Sequence, residues 1–399
     1  MFNFNPLWPQ AGTRGVASRF TIEGEKPDSL HGDWKELIRL ADIHSVMGIL
    51  GYMVISYPDR FDAKIVEFMR VQCLQTIAIF SRRSENMKQL IRQLNESGID
   101  HLLFKGYMVK DYYPVPELRT FGDIDFLIRL EDRQKSDDLM IQRGFGRKTD
   151  WEPVYSYSKN TEYYEIHTDV MEVDVSDKAD YKGYFRHIWE HAHLTEGHTW
   201  ELAPEYHFLY LLAHIAKHIS GSGAGIRMYM DIAAFIMYFG NELDWDYIQR
   251  ELEILCFKDF ANMVLTVVRE CFGVESPISL HQIEDQVFED FMEFTMAAGT
   301  FGYVGRDPGV IQLKKQDPSV QSVSRVQTLW ARLFAPASEL EKRYTYLRGR
   351  HWLLPAAWIH RLLRTRGKWR YHAKEAKSIM NADADKVLKL KRIYKEIGL

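Results

Sequence analysis

Two aspartates separated by one residue lie in an apolar run, Phe121 to Arg129, which reads Phe-Gly-Asp-Ile-Asp-Phe-Leu-Ile-Arg. Because side chains alternate between the faces of a strand, Asp123 and Asp125 are expected on the same face. Adjacent carboxylates repel each other, and a hard divalent cation such as Mg²⁺, which prefers oxygen ligands, removes that repulsion. The spacing therefore indicates a divalent-metal site. The alternative is that one aspartate caps a turn and the other is solvated.

The residues before this acidic pair could bind phosphate. The segment from His101 to Gly106 reads as a short buried strand ending at Lys105, and a helix is expected from Met108 to Tyr113. A strand–glycine–helix junction presents backbone N–H groups that suit a phosphate, and the lysine adds a cation. Arg119 supplies a second cation four residues before the acidic pair. Together these groups are the components that phosphoryl transfer requires.

An ordered set of short motifs extends from about residue 98 to residue 240. It comprises Phe104-Lys105-Gly106, Tyr113-Pro114, Leu118-Arg119, Gly122-Asp123-Ile124-Asp125 and Tyr164-Glu165-Ile166-His167. Taken in this order, the motifs resemble the uncharacterised bacterial nucleotidyltransferase-like family of the DNA polymerase β nucleotidyltransferase superfamily. The resemblance implies a Gly-containing turn, an Asp-x-Asp strand and a third carboxylate on a neighbouring strand.

The resemblance also implies roles for individual residues. The catalytic and metal-binding residues would be Asp123, Asp125 and Glu165. The nucleotide- and phosphate-binding residues would be Lys105, Gly106, Arg119, Gly122, His167, His214, His218, Arg227 and Asp231. The chain departs from the superfamily at one position, because Tyr107 follows the glycine of the turn where Ser or Gly is usual.

A polar stripe runs along the segment from Glu162 to Val170. Alternation places Tyr163, Glu165, His167 and Asp169 on one face of a strand. Such a stripe is often only the solvent face of a sheet. Opposite an acidic pair it favours a site wall, in which Glu165 would help to hold metal or act as a base for the acceptor hydroxyl, oriented by His167. The other carboxylates that could fill this role are Asp169, Glu172 and Asp174.

A second group of polar residues lies in the helical part that follows. Helical spacing places His207, His214 and His218 on one face, and Arg227 and Asp231 follow a glycine-rich link. By resemblance, this portion would close over the nucleotide, with Arg227 or Lys217 near the phosphates. Two alternatives stay open: histidines at i and i+4 can bind zinc, and Arg227 and Asp231 have the spacing of an i,i+4 ion pair. The link, Gly221 to Gly225, has neither a Walker nor a dinucleotide-binding spacing and is predicted to be flexible.

The elements around these residues predict an α+β fold, a nucleotidyltransferase-type mixed sheet with helices between largely α-helical N- and C-terminal parts. Helical periodicity runs from Leu37 to Leu50 and from Phe61 to Asn95, and the pattern is helical again from Pro204 to Glu293. A helix from Asp132 to Arg143 is expected after the Asp strand, ended by Gly144. We predict four regions, an N-terminal helical region at 1–97, the α/β core at 98–202, a helical domain at 203–323 and a basic helical region at 324–399.

Composition excludes several classes of protein. Of the 399 residues, 46% are hydrophobic and 13% aromatic, which is typical of a folded globular chain. No apolar run reaches the length of a transmembrane segment, and Met1 to Phe20 lacks the apolar core of a secretory signal. Three widely spaced cysteines fit a reducing, cytoplasmic environment and argue against a Cys-based zinc module.

The C-terminal quarter is basic. From Arg325 onward there are 18 Lys/Arg and 6 Asp/Glu, a net charge of +12, so the net charge of −4 for the chain leaves −16 for the preceding part. The segment from Trp352 to Leu363, flanked by arginines, could lie at an anionic membrane surface or contact nucleic acid. The alternative that we favour is an amphipathic helix packed on the acidic body.

These observations predict an enzyme that transfers a nucleotidyl group from an NTP to an acceptor, which could be a small molecule, a protein or a nucleic acid. The expected cofactor is Mg²⁺, or Mn²⁺, in a two-metal arrangement that stabilises the attacking and leaving oxygens. Tyr107 motivates the alternative, a catalytically inactive protein that keeps the fold and binds a nucleotide or a partner.

Overall fold

The computed structural model describes residues 34–171, 175–221, 223–300, 302, 310, 313, 324–340, 344–347, 349–365, 367 and 369–399. Residues 1–33, which begin the predicted N-terminal helical region, and the candidate acids Glu172 and Asp174 lie outside the described residues. The chain divides into two compact units. The first contains the described residues of Met1–Ile283, Phe294–Val304 and Gly398–Leu399, and the second contains those of Glu284–Glu293 and Gly305–Ile397.

Three helices open the first unit: α1 (Trp34–Ile43), α2 (Met47–Ser56) and α3 (Ala63–Glu96). The long periodic pattern before Asn95 is thus confirmed as a single helix, which begins where the Asp62 carboxylate accepts from the Lys64 N–H. Helix α2 packs closely on α3 because Gly51 of α2 faces α3. A Cβ on Gly51 would lie 2.9 Å from the Met69 carbonyl oxygen. The earlier pattern, from Leu37 to Leu50, covers two helices, and the chain breaks between them where Ser45 takes a φ of 56°.

One mixed sheet of seven strands forms the centre of the described part of the first unit, in the order β3-β4-β5-β2-β1-β7-β6. The strands are β1 (His101–Leu103), β2 (Ile124–Ile128), β3 (Gly146–Trp151), β4 (Val154–Lys159), β5 (Glu162–His167), β6 (Ala192–Glu196) and β7 (Thr199–Leu202). The pairs β2–β5 and β1–β7 are parallel, whereas the other neighbours are antiparallel. The predicted α+β class is therefore confirmed.

Helices α3 and α5 (Arg133–Gln142) cover one face of this sheet, and a short helix, α4 (Gly106–Val109), follows β1. The core on this face includes Ile124, Phe126 and Ile128 of β2. Because side chains alternate along a strand, Asp125 and Leu127 face the opposite side. The helix expected after the Asp strand is confirmed, and Gly144 follows it with a φ of 81°.

The opposite face of the sheet contacts the helical part. Its helices are α6 (Tyr181–Arg186), α7 (Pro204–Gly221), α8 (Ile226–Phe239), α9 (Trp245–Ile254) and α10 (Lys258–Phe272). The next helix, α11 (Asp285–Ala298), has its residues up to Glu293 in the second unit and the rest in the first. The helical pattern predicted after Pro204 is thus confirmed. Helix α7 packs on the sheet through Tyr210, whose ring lies 5.5 Å from that of Phe104.

The glycine-rich link between α7 and α8 was predicted to be flexible over Gly221 to Gly225, but its part from Gly223 to Gly225 is closely packed. Gly223, Ala224 and Gly225 are buried. A Cβ on Gly225 would lie 2.5 Å from the Gly299 carbonyl oxygen and 2.7 Å from Nδ1 of His44. Glycine is therefore required here by close packing. Ser222 lies outside the described residues.

The second unit contains α12 (Arg325–Leu333), α13 (Ala337–Leu340), α14 (Leu354–Thr365), α15 (Trp369–Asn381) and α16 (Ala384–Glu396). Its small core is formed by Ala335, Leu340, Tyr344, Leu347 and Ala357, with Leu353, Leu354 and Trp358 packed against them. Among the helices described in the two units, none combines the length and apolar character that crossing a membrane demands.

Candidate active site

A pocket of about 290 Å³ lies within the first unit, between the ends of β1, β2 and β5 and the helices α7 and α8. The three residues predicted to be catalytic and the nine predicted to bind nucleotide or phosphate all contribute to its wall: Lys105, Gly106, Arg119, Gly122, Asp123, Asp125, Glu165, His167, His214, His218, Arg227 and Asp231. The remaining lining residues are Phe121, Leu211, Lys217 and Met228. Residues far apart in the chain thus meet at one place.

The acidic centre of the pocket is built by two adjacent parallel strands. Asp125 of β2 is directly opposite Glu165 of β5 in the strand register, and His167 follows on the same face. Among the described residues, these three form the group whose potential metal-ligand atoms all lie within 4.8 Å of one another. Nε2 of His167 lies 2.9 Å from Oδ1 of Asp125 and 3.8 Å from Oε2 of Glu165. The pairing of β2 with β5 is therefore what assembles the site.

Asp125 is an ionised carboxylate within this group. Burial alone would raise its pKa, but the Lys105 ammonium and the His167 hydrogen bond outweigh burial and hold the pKa well below its usual range. Since an ionised carboxylate only accepts hydrogen bonds, Nε2 of His167 is the donor. Burial and the charge of Lys105 lower the pKa of His167, so its ring is neutral near pH 7 and Nδ1 carries no proton. This Nδ1 is buried and has no hydrogen-bond partner in the described part of the chain.

Asp123 immediately precedes β2 and differs from Asp125 in its electrostatics. It lines the same pocket but does not belong to the close group of Asp125, Glu165 and His167. Burial raises the pKa of Asp123, and the neighbouring negative charge of Asp125 raises it further. Its ionised form is thus stabilised too little by the groups of the protein, a condition that an added cation would relieve.

Lys105 forms an ion pair that the sequence did not indicate. Its Nζ lies 2.7 Å from Oδ1 of Asp125, and both side chains are largely buried. The backbone at Lys105 has a φ of 59°, in the left-handed region that L-residues rarely adopt. Burial opposes the charged form, but Asp125 outweighs it and the pKa of Lys105 is raised. The lysine predicted to hold phosphate is therefore the counter-ion of the central aspartate in this structure.

Gly106 is in close contact with a guanidinium group. A Cβ at this position would lie 2.6 Å from Nη1 of Arg119, so no larger residue fits without displacing the arginine. The expected helix from Met108 to Tyr113 is wrong in its extent: α4 ends at Val109, and a 3-10 turn, Lys110–Tyr112, replaces the rest. Tyr107 packs its ring 5.7 Å from that of Phe121 within the core, where burial raises its pKa to about 12.

An ion pair on the other wall joins α8 to the segment before β2. Arg119 donates from Nε to Oδ1 of Asp231 at 3.0 Å and from Nη2 to Oδ2 at 2.6 Å. The hydroxyl of Tyr113 donates to the same Oδ1 at 2.7 Å. Such a two-point contact fixes the planes of both groups. The carboxylate that the sequence placed at i,i+4 from Arg227 is thus held by an arginine 112 residues away.

Arg227 lies one turn before Asp231 on α8. Its Nη1 donates to the carbonyl oxygen of Thr120 at 3.0 Å and to the Thr120 hydroxyl at 3.2 Å. Burial lowers the pKa of Arg227 to about 10, and the like charge of Arg119 contributes. The guanidinium is therefore a cation buried beside another cation, which favours an anionic ligand at this wall.

Two of the three predicted histidines of α7 line the pocket. The rings of His214 and His218 are 4.6 Å apart, and burial lowers the pKa of His218 to about 4 and holds that of His214 well below its usual value. Both are therefore neutral near pH 7. His207 lies two helical turns earlier and packs against Tyr112 and Phe235 instead of the pocket. Within the described ranges neither pocket histidine belongs to a three-ligand group, so no zinc set is formed there.

Comparison with models of known protein families gives a match over much of the chain. A family model described as an uncharacterised nucleotidyltransferase covers residues 31–273, well over half of the chain. The chain belongs to this nucleotidyltransferase family. No curated protein and no solved structure matches it. The match includes all residues of the pocket wall and also the helices α1 to α3, which the resemblance seen in the sequence did not cover.

Some residues of the nucleotidyltransferase pocket could not be found from the sequence. The carbonyl of Thr120 accepts from both Arg119 and Arg227, and the Tyr113 hydroxyl supports Asp231. Tyr113 was part of a family motif, yet nothing in its spacing indicated a contact with α8. Thr120 carries no motif signal, although both its carbonyl and its hydroxyl oxygen accept from Arg227. Leu211 could not be distinguished from the other apolar residues of α7.

Proposed function

We propose that the protein transfers a nucleotidyl group from an NTP, such as ATP, to a hydroxyl group of an acceptor. The chain would have the nucleotidyltransferase fold of the DNA polymerase β superfamily. One observation carries the proposal: carboxylates in register on two adjacent parallel strands face arginine and histidine side chains across a pocket. Opposed groups of this kind suit a triphosphate with its divalent cation.

The residues present fit Mg²⁺ or Mn²⁺. Asp125 and Glu165 would supply the oxygen ligands that both cations accept, and His167, whose Nε2 donates to Asp125, would orient one of them. The raised pKa of Asp123 indicates negative charge that the protein leaves under-compensated. Lys105 and His167 both contact Oδ1 of Asp125, so Oδ2 is the oxygen with which Asp125 would bind metal. When bound, the metal would supply Lewis-acid polarisation of the phosphate oxygens.

The protein groups would position the triphosphate and move one proton. Arg227 would contact the phosphates, and Lys105 would leave Asp125 for a phosphate oxygen. Glu165, which is partly exposed, would accept the proton of the acceptor hydroxyl at Oε2. A bond would form between the acceptor oxygen and the α-phosphorus, the bond to the β-phosphate oxygen would break, and pyrophosphate would leave. His167 would keep Asp125 oriented through the Nε2 hydrogen bond.

A second candidate function is binding of a nucleotide without chemistry. The Lys105–Asp125 ion pair favours it, because a lysine that neutralises the central aspartate reduces the need for a metal there. Tyr107 does not support this candidate, because its side chain lies in the core and does not line the pocket. The two candidates differ in whether pyrophosphate is released.

The test measures binding and pyrophosphate release for each NTP, with Mg²⁺ or Mn²⁺ and with EDTA. Asp125→Asn and Glu165→Gln should each lower metal-dependent release by about 10²-fold or more. Glu162→Gln is the matched control, because Glu162 lies on β5, as Glu165 does, but outside the pocket. This variant should keep wild-type release. Release that is unchanged in Asp125→Asn would exclude the proposed chemistry. Metal-dependent binding without release, even with a panel of acceptors, would favour the second candidate.

A further inference from the structure

Helix α14 in the second unit presents its apolar stripe outward. Trp352, immediately before the helix, is 77% exposed, and Ile359, Leu362 and Leu363 are also exposed. Spacings of three and four residues place Ile359, Leu362 and Leu363 on one side of the helix, and Trp352 lies in the 3-10 turn that precedes it. Ala357, on the other side, is completely buried in the small core of the unit. An amphipathic helix normally buries its apolar side, so the exposed apolar side of α14 indicates a binding surface.

A second apolar stripe lies on α12. Val326, Trp330 and Leu333 recur at intervals of four and three residues, and all three are exposed. Aromatic contacts link the two helices: the Phe334 ring lies 4.5 Å from that of Trp330 and 5.0 Å from that of Trp358. Nε1 of Trp358 also donates to the Ala335 carbonyl at 2.8 Å. The two stripes therefore belong to one packed substructure, which we name the α12/α14 face.

The charge around this face selects the class of partner. From Arg350 to Lys377 the sequence has eight Lys/Arg and a single acidic residue, Glu375. Arg350 and Arg364, at the two ends of the α14 stripe, are exposed. A second copy of the chain, paired through the same face, would bring two strongly basic segments together, and like charges oppose such a pair. Nucleic acid would neutralise the positive charge but would not bury the exposed aliphatic side chains.

We propose that the α12/α14 face binds the surface of an anionic lipid bilayer. Tryptophan prefers the depth of the lipid headgroups, aliphatic side chains enter the acyl boundary, and arginine reaches the lipid phosphates. The helix lies in the plane of the interface and does not cross the bilayer. This inference is independent of the nucleotidyl-transfer chemistry, since it uses no residue of the pocket.

The experiment is flotation of the full-length protein with vesicles of phosphatidylcholine alone or mixed with phosphatidylglycerol. We expect binding to the anionic vesicles, little binding to the neutral ones, and weakening by salt. Ile359→Glu should reduce binding by about tenfold or more, and Arg364→Glu by about fivefold or more. Ile254→Glu is the matched control, because Ile254 has the same exposure of 60% as Ile359 but lies on α9 in the acidic part of the chain.

Circular dichroism and thermal unfolding of each variant establish that it is folded. Three outcomes would overturn the proposal: no binding to anionic vesicles, equal loss in Ile254→Glu, or binding that Ile359→Glu leaves intact. A mass that falls from dimer to monomer in Ile359→Glu would assign the face to a second copy of the chain. Salt-sensitive binding of duplex DNA without vesicle binding would assign it to nucleic acid.

Discussion

Replacement of Lys105 by methionine would show whether Asp125 is a metal ligand or only the counter-ion of Lys105. Methionine keeps most of the side-chain volume but removes the ammonium that lies 2.7 Å from Asp125. Only 14% of the lysine side chain and 7% of the aspartate side chain are exposed, so the variant leaves a buried carboxylate without its cation. Breaking one side of a buried ion pair costs about 3–5 kcal/mol, and we expect a loss of this size in EDTA.

A divalent metal should restore much of this loss. A ligand that binds only the folded state at about one hundred times its Kd raises the free energy of unfolding by about 2.7 kcal/mol. In Lys105→Met the metal meets a carboxylate from which the competing cation has been removed. We therefore expect Mn²⁺ and Mg²⁺ to stabilise this variant more than the wild type. The assay is urea unfolding followed by circular dichroism, with metal or EDTA, together with calorimetric titration of Mn²⁺.

Lys110→Met is the matched control. Lys110 is also buried, and its Nζ lies 2.6 Å from Oδ2 of Asp111, but it is outside the pocket. The control variant should lose stability without any recovery on addition of metal. Equal responses of the two variants to metal, or no response in Lys105→Met, would refute the assignment of Asp125 as a metal ligand.

Two further predictions concern residues around the site. Asp231→Ala removes the carboxylate that pairs with the buried Arg119, and we expect the free energy of unfolding to fall by about 3–5 kcal/mol in urea titrations; a loss below about 1 kcal/mol would show that the pair is not structural. His207 is buried with its pKa lowered from 6.5 to about 4, so the unfolded chain binds a proton that the folded chain does not, and stability falls as pH decreases from about 6.5 towards 4. Between about pH 7 and pH 5 this residue should account for a loss of about 2 kcal/mol, which His207→Leu should remove; an unchanged pH dependence in this variant would contradict the pKa.

The parts of the site that local patterns determine could be predicted. Alternation along a strand fixes which side chains share a face, so Asp125 and Glu165 could each be assigned to the polar face of its own strand. The helical pattern of α7 placed His214 and His218 together in the same way. Their roles in chemistry stay predictions. Of the strands in the described sheet, sequence patterns indicated β1, β2 and β5, whereas β3, β4, β6 and β7 were not predicted individually.

The pairing of distant charges could not be predicted. Arg119 and Asp231 are 112 residues apart, and only the packing of α8 against the segment before β2 brings them together. The link at Gly223 to Gly225 was misjudged for a related reason. Glycine serves both flexible turns and places where backbones approach closely, and the sequence does not distinguish these uses. Contact with Gly299 decides between them, and that contact is a property of the tertiary structure.

The distribution of charge in the pocket connects these contacts to the proposed chemistry. Asp125 is neutralised by Lys105, and Asp231 by Arg119, whereas Asp123 has a raised pKa and Arg227 a lowered one. The carboxylate of Asp123, whose charged form is disfavoured, therefore lies beside the strands, and the guanidinium of Arg227, whose charged form is also disfavoured, lies on α8. A divalent cation with a polyphosphate supplies the opposite charge to each. Since a bare anion would relieve only Arg227, we expect metal and nucleotide to bind more tightly together than either does alone.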